Sequence, residues 1–350
     1  MAGPVVTERV CTPNLVSETL AEYGAITREA IARYLPSGEP QAYLYDLIAD
    51  YPRRGGKMMR SSLCIATARA FGASLDSAIG TAAAIELLHN ALLIHDDIED
   101  ASEQRRGRPT LHLLHGVPLA LNAGDALSLL SLRPLVENVS SIGPRRALRV
   151  LEESERMAWE SAEGQAMELG WRRDNCNGLS DADYLTMVLK KTCWLATIHP
   201  CRVGALIGSH DRVDLEPFIR FGFFLGVAFQ IQDDLLNLVA DERYGKELNG
   251  DFFEGKRTLM LNHAYRQSTA AQRGRLAEML GPANGSRTEA QVDWIRELMA
   301  THGSIDYARG IAHGLAGAAL HEFDNVFGGL PDSRDKAFIR GLATWVFERT

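Results

Sequence analysis

An all-α fold is predicted for this chain, on three observations. Apolar residues recur at three- and four-residue intervals through most of the 350 positions. Alternating or Val/Ile-rich strand segments bounded by turns are hard to find. Breakers stand where a helical bundle needs its connections, at Pro52 to Gly56, Gly107 to Pro109, Gly143-Pro144, Asn175 to Gly178 and Gly245 to Gly255. Taken in order, the pattern places helices near 13–35 and 40–51, the second stopped by Pro52, and near 57–71, opening directly after a Gly-Gly turn. A long apolar helix near 76–99 runs into acids. Helices near 117–140 and 145–170 are separated by Gly143-Pro144, and those near 181–209 and 213–240 follow the Asn175 to Gly178 break. The segment "FGFFLGVAFQIQ", Phe221 to Gln232, is apolar on nearly every face and suits a central helix, with Gly222 and Gly226 spaced to let a neighbour approach. Helices near 257–267 and 287–300 and two more toward the C-terminus complete the set. No linker-like tract, short-period repeat or low-complexity segment intervenes. One domain over 1–350 is therefore expected, with about residues 1–12 as a flexible tail.

Hydrophobic residues make up 46% of the chain, enough for a large core, and the formal net charge of -8 argues against a general nucleic-acid binder. An anionic ligand must then be handled by local clusters. The five cysteines, Cys11, Cys64, Cys176, Cys193 and Cys201, are scattered without the spacing of a zinc site and read as reduced thiols. The N-terminus lacks a basic stretch followed by an apolar signal core, and no run of eighteen or more apolar residues is present. No transmembrane segment is expected, and the location is read as cytoplasmic.

The helix near 76–99 ends in "LLIHDDIED", where Asp96, Asp97, Glu99 and Asp100 crowd the end at which the macrodipole favours cations. Asp96, Asp97 and Asp100 are one turn or three residues apart and share a face. Divalent ions resolve both the repulsion and the dipole, and Mg2+ in particular takes one or two carboxylates and shares the rest of its shell with water and phosphate oxygens. A second pair, Asp233 and Asp234 in "FQIQDDLLN", follows another apolar run, with Asn237 where the first cluster has Asp100. Two such pairs on facing helices form a cage for metal ions and a diphosphate-like anion. Cations stand where that anion needs them: Lys57 and Arg60 at a helix start, Arg105 and Arg106 in "EQRRGRPT", then Lys191, Lys246 and Lys256. "GDFFEGKRT" approaches a nucleotide P-loop, but Arg257 replaces the metal-binding hydroxyl and no strand precedes it.

These segments, with "LLHNALLIHDDIEDASEQRRGRPTLH", "GDAL", "KTCWL" and "GKELNGDFFEGKRT", resemble in order and composition the trans-isoprenyl diphosphate synthases of the polyprenyl synthetase family, over roughly residues 40–300. The short-chain synthases of the geranylgeranyl type are the most similar. The resemblance implies antiparallel helices around a deep central cavity, a homodimer, and head-to-tail condensation of isopentenyl diphosphate with an allylic diphosphate. It implies three Mg2+ ions per site, two held by Asp96 and Asp100 with Asp97 in support, and the third by Asp233 assisted by Asp234. Arg105, Lys191, Lys246 and Lys256 fall at allylic diphosphate positions, and Lys57, Arg60, His89 and Arg106 at the isopentenyl diphosphate pocket. Thr192 and Gln230 match positions beside the reacting carbons. Asn237 departs from the family's usual aspartate, and Glu99 matches no ligand.

A growing product would run from the acids along the same helix, so the small Ala91 and intermediate Leu92, with Leu88 a turn further, are expected to set its length. Ala91 and Leu92 are not bulky aromatics, which points to a C20 product, with C15 or C25 and longer as alternatives. A class I terpene cyclase shares the first aspartate cluster but needs no isopentenyl diphosphate pocket, and a non-catalytic partner subunit tends to lose its aspartates.

Overall fold

The computed structural model describes residues 13–239, 250–281 and 288–348. Helices account for nearly all of it: α1 Pro13–Tyr34, α2 Asp46–Arg53, α3 Met59–Ala70, α4 Leu75–Glu99, α5 Leu111–His115, α6 Val117–Leu130, α7 Leu132–Ser141, α8 Pro144–Arg173, α9 Asp181–Val188, α10 His199–Gly208 and α11 Pro217–Val239. Six more follow: α12 Gly250–Glu254, α13 Leu259–Gln267, α14 Ala270–Leu280, α15 Glu289–Thr301, α16 Ser304–Phe327 and α17 Arg334–Glu348. Local sequence explains many of the starts. The Ser74 hydroxyl accepts from Ser77 N–H to open α4, and reciprocal capping boxes, Ser180 with Asp183, Thr269 with Gln272 and Thr288 with Gln291, open α9, α14 and α15.

α11 is the central helix, packed between α16 and the segment Leu189–Ile198, which joins α9 to α10 as a π-helix. Gly222 and Gly226 permit that approach: a β-carbon at Gly222 would stand 2.8 Å from Ile198 Cα, and one at Gly226 2.7 Å from Thr197 Oγ1. Gly204 and Gly208 bring α10 equally close to the backbone of α3. α4 meets the length and composition of a membrane span, which the search for unbroken apolar runs passes over. Its packing is that of a core helix, with Ala78, Ala82, Ala83, Leu87 and Ala91 at 0% exposure.

The structure departs from the sequence pattern in several places. The helix expected over 117–140 is two, broken at Ser131, because Pro134 has no N–H to bond Leu130 C=O and its ring crowds that carbonyl. The helix expected from 213 begins at Pro217. α5, α12 and α14 are additional, α12 within the expected break at Gly245 to Gly255, and the helix expected over 40–51 is a π-helical turn, Gln41–Tyr45, followed by α2, which runs through Pro52 to Arg53. Finally, Gln104–Arg105 pairs antiparallel with Arg108–Pro109 across a tight turn in which Arg106 (φ 54°) and Gly107 (φ 72°) are both left-handed, the geometry of a two-residue hairpin. Strands of two residues are too short to show an alternating pattern. Cys64, Cys193 and Cys201 are buried free thiols, Cys176 is half-buried and free, and Cys11 lies outside the described residues.

Candidate active site

The helices surround a cavity of about 770 Å3. Its walls bring together Asp96 from α4, Asp233 and Asp234 from α11, Lys191 and Thr192 from the π-helical segment, Gln230, Arg105, Lys256, and the group Lys57, Arg60, His89 and Arg106. Residues scattered over two hundred positions thus face one space. Lys246 lies outside the described residues.

On the acidic side, Lys191 Nζ stands 3.4 Å from Asp96 Oδ1 and also pairs with Glu168 of α8. Burial alone would raise the Asp96 carboxyl, but Lys191, Lys256 and Arg105 outweigh it and hold the group ionised well below the carboxylate range. Gln165 Nε2 donates to Asp96 Oδ1 at 3.0 Å and also bonds Glu99. Opposite, Thr192 Oγ1 donates to Gln230 Oε1 (3.0 Å), Gln230 Nε2 donates to Asp234 Oδ1 (2.8 Å), and Tyr184 Oη donates to Asp234 Oδ2 (2.9 Å). Burial, then the charge of Asp251, push the Asp234 carboxyl up to about 8.

Three placements correct the sequence reading. Asp97, expected among the metal ligands, is fully buried behind the cavity wall, where Arg105 Nε donates to its Oδ1 at 3.0 Å and the Tyr51 hydroxyl binds its other oxygen. Both oxygens are occupied by protein, so Asp97 fixes Arg105 instead of facing a ligand. Ala91 lies in the α4–α6 seam with Ala120, Ala123 and Leu127, and Leu88 packs into a neighbouring apolar cluster; neither lines the cavity. The turn of α4 presents Leu92 and Leu93 to the cavity instead. Asp100 opens on an adjoining space of about 350 Å3 and is held by Arg172 and by Lys256 Nζ at 3.1 Å.

The P-loop resemblance has a different structural meaning. Among the described residues no strand precedes Gly250–Thr258; Lys256 turns to Asp100 and Glu254, and Arg257, 2% exposed, donates through Nε to Cys176 C=O at 2.8 Å.

Sequence reasoning missed Gln165, Glu168 and Arg172. Their spacing of three and four residues puts them on one face of α8, a polar stripe visible in "GQAMELGWRR" once α8 is known to face the acids. Asp251 and Glu86 were also missed; both line the cavity.

Among the described residues no group of three His, Cys, Asp or Glu side chains forms a ready-made metal cage. The donor set nonetheless fits a hard divalent cation: Asp96 and Asp233 offer carboxylate oxygens to one cavity, and the burial and Asp251 charge that keep Asp234 protonated are what a cation there would offset.

An all-α bundle whose cavity gathers Asp96, Asp233 and Asp234 with two sets of cations defines a prenyltransferase that works on diphosphates. The chain belongs to the polyprenyl synthetase family, whose model matches residues 41–299, and it is a trans-prenyl diphosphate synthase of a family that uses divalent metal. It is 32% identical over 335 residues to the geranylgeranyl pyrophosphate synthase of Geoglobus acetivorans, covering 96% of this chain and 99% of that protein. A geranylfarnesyl diphosphate synthase from Natronomonas pharaonis is 28% identical over 353 residues, covering 96% and 98%. The crystal structure of geranylgeranyl pyrophosphate synthetase from Pyrococcus horikoshii Ot3 matches with a TM-score of 0.84 at 32% identity, over 95% of this chain and 99% of that one.

Proposed function

We propose that this enzyme condenses isopentenyl diphosphate head-to-tail with an allylic diphosphate to make geranylgeranyl diphosphate, acting as a cytoplasmic homodimer with one catalytic domain. The observation that carries this reading is that one cavity is lined both by acids, Asp96 and Asp233, and by a separate group of Lys57, Arg60 and Arg106 with His89. Two diphosphates of different handling fit those two groups.

Magnesium, at three ions per site held by Asp96, Asp233 and, with Asp234 and Asp100 as further donors, would neutralise the allylic diphosphate and make it a better leaving group. Asp100, held here by Arg172 and Lys256, would serve only where those cations release it. Lys191, Lys256 and Arg105, with Lys246, bind the same diphosphate, so charge developing on the departing oxygen is met by fixed cations. The allylic C–O bond breaks with its electron pair leaving on diphosphate. The oxygen dipoles of Gln230 and Thr192 steady the allylic cation, and the double bond of isopentenyl diphosphate supplies the electrons of the new C–C bond. Loss of the adjacent proton to the departed diphosphate restores an allylic product.

A C20 product is supported by Leu92 and Leu93 on α4, neither of them aromatic, and by the small Ala158, Ala162 and Ala166 of α8 in the same cavity lining. The N. pharaonis relative makes C25 the second reading. Inorganic diphosphate should be released one-for-one with isopentenyl diphosphate consumed, and only when both substrates and a divalent cation are present. Release from the allylic substrate alone, with a hydrocarbon product, would instead mark a cyclase.

A further inference from the structure

Glu86 is an acid buried inside a pocket that otherwise gathers cations. It is 2% exposed on α4, three residues before His89, and lines the cavity with Lys57, Arg60 and Arg106. Ser61 from α3 approaches its Oε1 twice, by N–H at 3.3 Å and by Oγ at 3.1 Å, while Oε2 is 3.3 Å from His89 Nδ1. Burial would raise the Glu86 carboxyl, but His89, Arg60 and Ser61 bring it down to about 2. Burial and the charge of Arg60 push His89 down to about 4. At neutral pH the contact therefore joins a carboxylate to a neutral imidazole, and since a carboxylate only accepts, Nδ1 carries the hydrogen. Nε2, on the other side of the ring, is left for a ligand. The backbone of Glu86 takes part as well: its carbonyl accepts from Asn90 Nδ2 at 2.7 Å, Asn90 Oδ1 accepts from Arg106 Nη1 at 3.3 Å, and that same Nη1 donates to Tyr51 C=O at 2.9 Å.

We propose that Glu86 is a positioning residue for the isopentenyl diphosphate pocket: its carboxylate holds His89 by Nδ1–H and so turns Nε2 to the substrate diphosphate. This rests on the assignment of that pocket under the proposed function.

Steady-state kinetics with each substrate varied in turn tests it. Glu86→Gln should raise KM for isopentenyl diphosphate about 10-fold, the size of one hydrogen bond to a charged group, with KM for the allylic substrate unchanged and kcat nearly so. His89→Ala should do the same, and the double variant should be no worse than either, because Glu86 acts through His89. Ser61→Ala, which deletes one donor and leaves every charge in place, should move the same constant by about 3-fold and keeps the test available if Glu86→Gln does not fold. A lower KM for isopentenyl diphosphate in Glu86→Gln, an equal rise for both substrates, or additive effects in the double variant would overturn the proposal. Lys57→Ala and Arg106→Ala separate it from its premise: if neither raises that KM, the pocket assignment falls and this inference with it, whereas if both do and Glu86→Gln does not, only the inference falls.

Discussion

Asp234 sits among Asp233, Asp251, Tyr184 and Gln230, and its raised pKa of about 8 has a measurable consequence. The unfolded chain releases this proton near the ordinary carboxyl value, so between that value and about 8 the folded state binds more protons than the unfolded one. Stability contributed by Asp234 is full at low pH and is lost as pH rises through that window. With chelator present, the unfolding midpoint of the wild type should fall more steeply toward pH 8 than that of Asp234→Asn; parallel curves would place the proton elsewhere. Asp96 and Glu99, three residues apart, should differ sharply. Asp96→Asn should lower kcat by about 100-fold, some 2.7 kcal/mol of barrier, while Glu99→Gln stays within about 3-fold, as single-turnover rates would show. The structure places Glu99 on the cavity wall beside Asp96, with Gln165 bonded to both, so the expected difference rests on the family resemblance, in which Glu99 matches no ligand. The withdrawal of Asp97 was not legible in the sequence, since it depends on Tyr51 and Arg105 arriving from elsewhere in the chain.

The elements that carry these residues hold them by close approach. A β-carbon at Gly164 of α8 would stand 2.2 Å from Lys191 N in the π-helical segment. Gly164→Ala must push that segment, with Lys191 and Thr192, away from the acids; overpacking of this kind costs about 1–3 kcal/mol and should appear both in urea unfolding and in kcat. The two faces of α4 give a second contrast. Leu92→Phe narrows the cavity and should shorten the product, whereas Ala91→Phe forces a ring into the seam with Ala120 and Ala123 and should lower stability without a new chain length. Product sizing alongside thermal unfolding checks both. Most helices were legible from their period and breakers. The hairpin at 104–109 and the π-helical turn were not, because one is too short for a pattern and the other differs from an α-helix only in hydrogen bonding.

At the scale of the whole molecule, α6 and α7 leave Leu121, Leu129, Leu132, Val136 and Val139 exposed, a group of large apolar side chains that a second copy would cover. Sedimentation should give twice the chain mass of 38.5 kDa, and Leu132→Lys with Val136→Lys should return the single-chain mass. The all-α architecture and the meeting of Asp96 with Asp233 and Asp234 in one cavity were both readable from the amino acids, since spacing and order suffice for them. The shape of the product channel was not, because it depends on which side of α4 faces α6 and which faces α8. On the proposed function, two diphosphates meet in one cavity and leave as one longer chain. The decisive measurement supplies the purified enzyme with Mg2+, labelled isopentenyl diphosphate and farnesyl diphosphate, and sizes the dephosphorylated product. A single C20 alcohol is the result expected; no labelled product longer than the primer would contradict it.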